Sequence, residues 1–314
     1  MRRLDSGWRD KTLADRHQLL GFDSPAAGME LPMVEYDRGE PVAIMNYLPR
    51  NLPLPNGPQA VATYEAFGRL HRDTGEQLPF FTVQYDVRNW AFRLFGHNEP
   101  AQDFLRGAGT PWVRMTEWQF VNALYRLRGR YMPDLAPFGV DFSTDPWIET
   151  EPSPEPLVER WPGQLMSRRR REHEPVTQVR ASWRNPCVDI DLAVVDMDRQ
   201  VTAIVDYKAP GAKPNLASTN VAALSSLHSS LRVRQPQQSR TMPVPCFVTC
   251  YEPEPDGWLF HVAPVNPAAR NLLSYALSVT KDNERLARVI AGEGEWYDLA
   301  EDEWRGVLNC ARYV

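Results

Sequence analysis

Apolar and polar positions along this chain lay out most of its elements before any chemistry is considered. A short polar helix is expected over residues 11–20. Residues 31–49, LPMVEYDRGEPVAIMNYLP, form two apolar runs around Asp37-Arg38-Gly39, a turn sequence that predicts an antiparallel hairpin. Helical periodicity follows over 60–71, then strands over 79–85 and 90–95 and a helix start at 99–105. The segment EWQFVNALYRLRGR (117–130) sets Phe120, Leu124 and Leu127 on one helical face. Residues 143–156, STDPWIETEPSPEP, are polar and proline-rich, and 146–156 is read as a linker between a domain at 1–145 and a second at 157–314. Beyond it, a helix is predicted over 164–174 and a second hairpin over 188–195 and 201–207. A loop at 209–219 leads to a helix over 220–231, strands over 244–251 and 258–262, and helices over 268–277, 283–291 and 301–310.

The two halves repeat one another. AIMNY (43–47) matches AIVDY (203–207), and AFGRLH (66–71) echoes ALSSLH (223–228). Phe81 and Tyr85 fall on Phe247 and Tyr251, WAFRLFGHN (90–98) falls on WLFHVAPVN (258–266), and Trp112 and Glu117 fall on Trp296 and Glu301. The order never breaks, and the drift in spacing is what loop insertions produce. The recurring aromatic positions are therefore expected in the core.

Chemistry concentrates in the second hairpin, CVDIDLAVVDMDRQVTAIVDYKAP (187–210). Side chains alternate along a strand, so Asp189 and Asp191 share a face, as do Asp206 and Lys208. A two-residue turn at Asp198-Arg199 predicts a register that opposes Asp191 to Asp206 and Asp189 to Lys208. Two carboxylates ~4 Å apart repel by about 1 kcal/mol in water and about 4 kcal/mol near a partly shielded surface. A divalent ion reverses that sign, and Mg²⁺ is commonly held by one or two carboxylates with waters. In the first half, Leu31, Asn46 and Leu48 stand at the places of Asp191, Asp206 and Lys208, so the hairpin is kept and the charges are gone.

Asp191 followed by Asp206-Tyr207-Lys208 resembles the signature of the PD-(D/E)xK nuclease superfamily. The resemblance implies an α/β protein of two tandem restriction-endonuclease-like domains, each a mixed sheet flanked by helices, the first a pseudo-nuclease. It implies Asp191, Asp206 and Lys208 as catalytic residues, with Asp191, Asp206 and an upstream glutamate (Glu172 or Glu159) as ligands of Mg²⁺ or Mn²⁺; Asp189 is either a further ligand or the salt-bridge partner of Lys208. No proline directly precedes Asp191, and Asp206 stands where glutamate is more usual. The expected activity is metal-dependent DNA hydrolysis, with a homodimer or an internal pseudo-dimer as the assembly. One active site in two copies implies one strand cut per binding event. The alternative is an inactive nuclease-fold protein acting as a nucleic-acid-binding or regulatory module.

Composition adjusts this picture only slightly. A chain of 314 residues with 43% hydrophobic and 24% charged content is that of an ordinary globular protein. The net charge of −5 argues against a generally basic coat but allows a local basic channel, for which Arg168, Arg169, Arg170 and Arg171 are the candidates. Four cysteines without CxxC spacing read as reduced core filler and suggest a cytoplasmic location. His173, His228 and His261 show no ligand spacing and read as structural or surface residues. No Walker loop, GxGxxG, HExxH or GxSxG is present, and no apolar run reaches the ~18–20 residues of a membrane span.

Overall fold

The computed structural model describes residues 33–37, 39–49, 58–86, 91–105, 112–127, 129, 187–196, 198–208, 230–234, 241–254, 257–280, 283–292 and 296–313. The helices expected over 11–20 and 164–174, the linker, and nearly all of the helix expected over 220–231 lie outside these residues, and so do Glu159, Glu172 and Arg168–Arg171. The fold is mixed α/β, built on mixed sheets. Its two compact units interleave along the chain rather than follow one another: one gathers Pro32–Leu54 and Leu78–Asp189, the other Met1–Leu31, Pro55–Gln77 and Ile190–Val314.

The first unit holds β1 (Met33–Asp37), β2 (Glu40–Pro49), β4 (Phe80–Asp86), β5 (Ala91–Gly96), α2 (Glu99–Phe104), β6 (Trp112–Thr116), α3 (Glu117–Leu127) and β7 (Cys187–Asp189). Its sheet runs β6-β5-β4-β2-β1-β7. Strand β2 is parallel to β4, and the other pairs are antiparallel. Alternate residues Ala43, Met45, Tyr47, Phe81, Val83, Tyr85, Phe92, Leu94, Val113 and Met115 make one core with Phe120, Ala123 and Leu124 of α3. Phe92 stacks on Phe120 with centroids 4.4 Å apart.

The second unit holds α1 (Pro58–Phe67), β3 (Leu70–His71), β8 (Leu192–Val195), β9 (Val201–Lys208), β10 (Arg232–Arg234), β11 (Thr241–Pro243), β12 (Cys246–Glu254), β13 (Gly257–Pro264), α4 (Pro267–Thr280), α5 (Asn283–Ala291), β14 (Tyr297–Ala300) and α6 (Glu301–Tyr313). Its main sheet runs β14-β13-β12-β9-β8, with β9 parallel to β12, and a small sheet runs β11-β10-β3. The core sets Ala203, Val205 and Tyr207 of β9 against Phe247, Tyr251 and Phe260, under Leu273, Leu277, Trp304 and Leu308 from the helices.

The repeat read from the sequence recurs as a repeat of hydrogen bonds. Phe81 pairs with Gly96 as Phe247 pairs with Pro264, and Phe92 pairs with Met115 as Phe260 pairs with Leu299. Ile44 N donates to Pro79 O at 2.9 Å, and Ile204 N donates to Pro245 O at 2.9 Å. Each copy caps a helix with an asparagine. Asn98 Oδ1 accepts from Ala101 N and Phe80 N while Nδ2 donates to Leu78 O; Asn266 Oδ1 accepts from Ala269 N and Cys246 N while Nδ2 donates to Val244 O. Even the hairpin bulge recurs, between Glu35 and Tyr36 and between Val194 and Val195.

The first sheet's face away from α3 carries His97. Its Nε2 lies 2.7 Å from Thr82 Oγ1, and its ring packs on Phe80 at 4.7 Å and Phe95 at 5.0 Å. Burial holds this imidazole's pKa at about 4, so it is neutral at pH 7. A lowered folded pKa means that its contribution is fully present above the unfolded value of ~6.5 and is lost as pH falls through 4. We expect wild type to lose about 2 kcal/mol relative to His97→Asn between pH 7 and pH 4, after discounting for the ring's residual exposure. Urea unfolding of both proteins at three pH values measures the gap, and a constant gap would refute the expectation.

Candidate functional site

The apolar run 188–195 is not one strand. Cys187–Asp189 forms β7 and pairs with β1, Met33 opposite Asp189, while Leu192–Val195 forms β8 and pairs with β9. Fully buried Ile190 and the bend at Asp191 separate the two pieces. Asp189 is therefore not opposite Lys208, which corrects the sequence register at that position.

Around Asp191 the register is as expected, though by a different route. Asp196 N donates to Gln200 O at 3.0 Å and Asp196 Oδ1 accepts from Gln200 N at 2.8 Å, so the turn is longer than the two residues Asp198-Arg199. Arg199 takes φ 57°, where the matching residue of the first copy is Gly39 at φ 90°. The left-handed conformation costs a non-glycine residue roughly 1–2 kcal/mol. Here Arg199 Nη1 ion-pairs with Glu65 of α1, and Arg69 Nη1 donates to the carbonyl of Asp198. The bulge at Val194 and Val195 absorbs the extra turn residue, so Leu192 opposes Val205 and the next step sets Asp191 level with Asp206.

Three of the expected residues thus gather at the end of β9. Asp191 Oδ2 accepts from the Tyr207 backbone N at 2.7 Å, which ties its carboxylate to the neighbouring strand. Asp206 is buried, 6% exposed, and Lys208 Nζ from the same face of β9 ion-pairs with its Oδ1. The intervening Tyr207 points into the core, where Trp304 Nε1 donates to its hydroxyl at 3.1 Å. Burial pushes the Tyr207 phenol well above its usual range; the bond from Trp304 opposes this and the charge of Asp191 adds to it. Burial likewise raises the Cys246 thiol, helped by Asp206, so this cysteine stays protonated as core filler.

A polar row continues from Lys208 across the sheet. Lys208 stands beside Cys250, Cys250 opposite His261, and His261 opposite Asp298. His261 is buried, with Nδ1 hydrogen-bonded to Asp298 and Nε2 3.7 Å from Glu252 Oε1. Sequence spacing missed this group because its members meet across strands; the signal was a histidine inside an otherwise apolar strand.

In the first copy the row reads Leu48, Gln84, Arg93 and Arg114. Asn46 occupies the place of Asp206. Leu48 occupies the place of Lys208, and Leu31, expected at the place of Asp191, lies outside the described residues. None of these residues can ligate through a carboxylate. The side chain of Asp189 is outside the described set, and among the described residues no three His, Cys, Asp or Glu side chains converge as a metal cluster. No helix among them is long and apolar enough to cross a membrane. No family model, curated protein or solved structure matches the chain.

Proposed function

We propose that this chain is a metal-dependent DNA endonuclease of restriction-endonuclease-like fold, with a single active site in the second unit. The observation that carries the reading is that Asp191 is tied to the peptide N–H of Tyr207, the residue between Asp206 and Lys208, which ion-pair at the end of β9. The parallel β9–β12 pair beside a hairpin supports the fold assignment. Two carboxylates completed by waters are a donor set that suits Mg²⁺ or Mn²⁺, and each carboxylate has about four lone-pair positions, more than one hydrogen bond uses. When bound, the ion would activate a water and neutralise charge on the scissile phosphate. The chain's own groups do the rest: the Tyr207 peptide N–H orients Asp191, and Lys208 offers a proton donor to the phosphate oxygens.

Cleavage of duplex, single-stranded and branched DNA with Mg²⁺ or Mn²⁺ tests this. Asp206→Asn and Lys208→Ala are expected to lower the rate at least ~100-fold. With one site per monomer, nicked plasmid circles should accumulate before linear product. Unchanged cleavage in either variant would overturn the assignment. A second reading, an inactive nuclease-fold binding module, is favoured by the closed Lys208–Asp206 pair. Calorimetric Mn²⁺ titration separates the two, because a pure binding module has no site to lose on Asp191→Asn.

A further inference from the structure

The polar row that leaves Lys208 reaches a histidine with one unused nitrogen. His261 of β13 is 3% exposed, and its ring lies between two carboxylates whose side chains reach solvent. Asp298 of the edge strand β14 accepts from Nδ1–H, which leaves the lone pair on Nε2. That nitrogen is buried and makes no hydrogen bond. Glu252 Oε1 of β12 lies 3.7 Å from it, beyond hydrogen-bond reach. A buried acceptor left unmatched costs roughly 1–3 kcal/mol, and a bound ion is one of the few things that relieves it.

We propose that His261 Nε2 and Glu252 Oε1 together bind a divalent transition-metal ion of the zinc type, with Asp298 holding the imidazole from behind. Ligand bonds of about 2.0–2.2 Å set two tetrahedral donors roughly 3.4 Å apart, so the 3.7 Å gap closes with a small side-chain adjustment. A carboxylate on Nδ1–H is the common second partner of a metal-bound histidine, where it fixes the tautomer and raises the basicity of Nε2. Imidazole beside a carboxylate suits zinc, whereas Mg²⁺ prefers an all-oxygen set. Two protein ligands leave the remaining positions to water, on the side where Glu252 is exposed. The site stands apart from Asp191 and Asp206. His261 is two strands from Lys208, roughly 10 Å at ordinary strand spacing, too far for one ion to be shared. The proposal therefore does not rest on the nuclease reading.

The internal repeat shows that the fold does not require this histidine. In the first copy Gln84 opposes Arg93 and Arg93 opposes Arg114, as Cys250 opposes His261 and His261 opposes Asp298 in the second. Asp86 follows Tyr85 where Glu252 follows Tyr251, so both copies keep a carboxylate at that place. Arginine offers only donors and has no lone pair for a metal. The same sheet thus forms without the imidazole, and the donor set belongs to the copy that also keeps Asp191 and Asp206.

The test is isothermal titration calorimetry of full-length, tag-free protein carrying Asp206→Asn, a background that weakens the other carboxylate set, with ZnCl₂ at pH 7. One ion is expected per chain, and excess Mg²⁺ should not displace it. In that background His261→Asn should abolish binding, and Glu252→Gln should weaken it at least ~10-fold. Asp298→Asn should weaken it ~10–100-fold, the ordinary loss when the partner of a metal-bound histidine is removed. Zinc should also raise the melting temperature of the parent protein and leave that of Glu252→Gln unchanged. Circular dichroism checks folding, and the half-exposed Glu252 decides the matter if His261→Asn does not fold. No zinc bound, or equal affinity in folded Glu252→Gln, would overturn the proposal. Zinc binding in a wild type that cleaves no DNA defeats only the nuclease assignment. Asp206-dependent cleavage by a chain that binds no zinc at His261 defeats only this site.

Discussion

Trp304→Ala is expected to reduce the unfolding free energy of the second unit by about 5 kcal/mol, a large part of the ~5–15 kcal/mol that holds a typical domain. The indole is 1% exposed and meets Phe247 edge-on at 5.5 Å and Phe260 at 6.3 Å. Removing a buried ring of this size costs roughly 3–5 kcal/mol in lost transfer energy and cavity. Its Nε1–H also donates to the hydroxyl of Tyr207, and losing that buried hydrogen bond adds about 0.5–1.5 kcal/mol. Trp304→Phe isolates the second term, keeping most of the packing and losing the donor, so about 0.5–1.5 kcal/mol is expected. Urea unfolding followed by circular dichroism measures both. A loss below 2 kcal/mol for the alanine variant would mean that α6 does not anchor the sheet.

Asn266→Ala is expected to cost about 3 kcal/mol, and Asn98→Ala a similar amount in the first unit. Asn266 is buried and makes three bonds, accepting from Ala269 N at 2.9 Å and Cys246 N at 3.3 Å and donating to Val244 O at 2.7 Å. The first is an N-cap for α4, usually worth about 1 kcal/mol. The other two join the helix start to the entry of β12, so alanine strands backbone groups in the interior. Asn266→Asp retains the acceptor and loses the donor, and should lie between alanine and wild type. Equal stability of the alanine variant and wild type would show that water replaces all three bonds.

The core of the candidate site was legible because strand parity and hairpin register are local properties. Asp206 and Lys208 share a face whatever else happens, and an apolar stretch on each side of a polar break pairs in few ways. Yet the turn expected at Asp198-Arg199 is longer, and the register around Asp191 holds because a bulge compensates. Asp189 shows the limit. Its run looks like one continuous strand, and only the sheets decide that the chain leaves one at Asp189 and enters the other at Leu192. The short strands β6, β10, β11 and β14 were also invisible, because strands of three to five residues carry too few alternations to show a period.

By itself the sequence determined that the chain is a duplicate and which copy keeps its carboxylates; its expectation of core aromatics holds for Tyr85, Phe92, Tyr251 and Phe260 but not for Trp112 and Trp296, which are half-buried outside both cores. The duplication and the loss of carboxylates follow from order and periodicity, which survive loop insertion. Tertiary structure alone decided the composition of the units. Pro55–Gln77, which sequence order places between β2 and β4 of the first unit, belongs to the second. There β3 pairs with β10, and α1 and the residue Arg69 hold the β8–β9 turn through Arg199 and Asp198. Pairing energy depends on which edges meet in space rather than on distance along the chain. Local pattern therefore names the strands, and the sheets choose their partners.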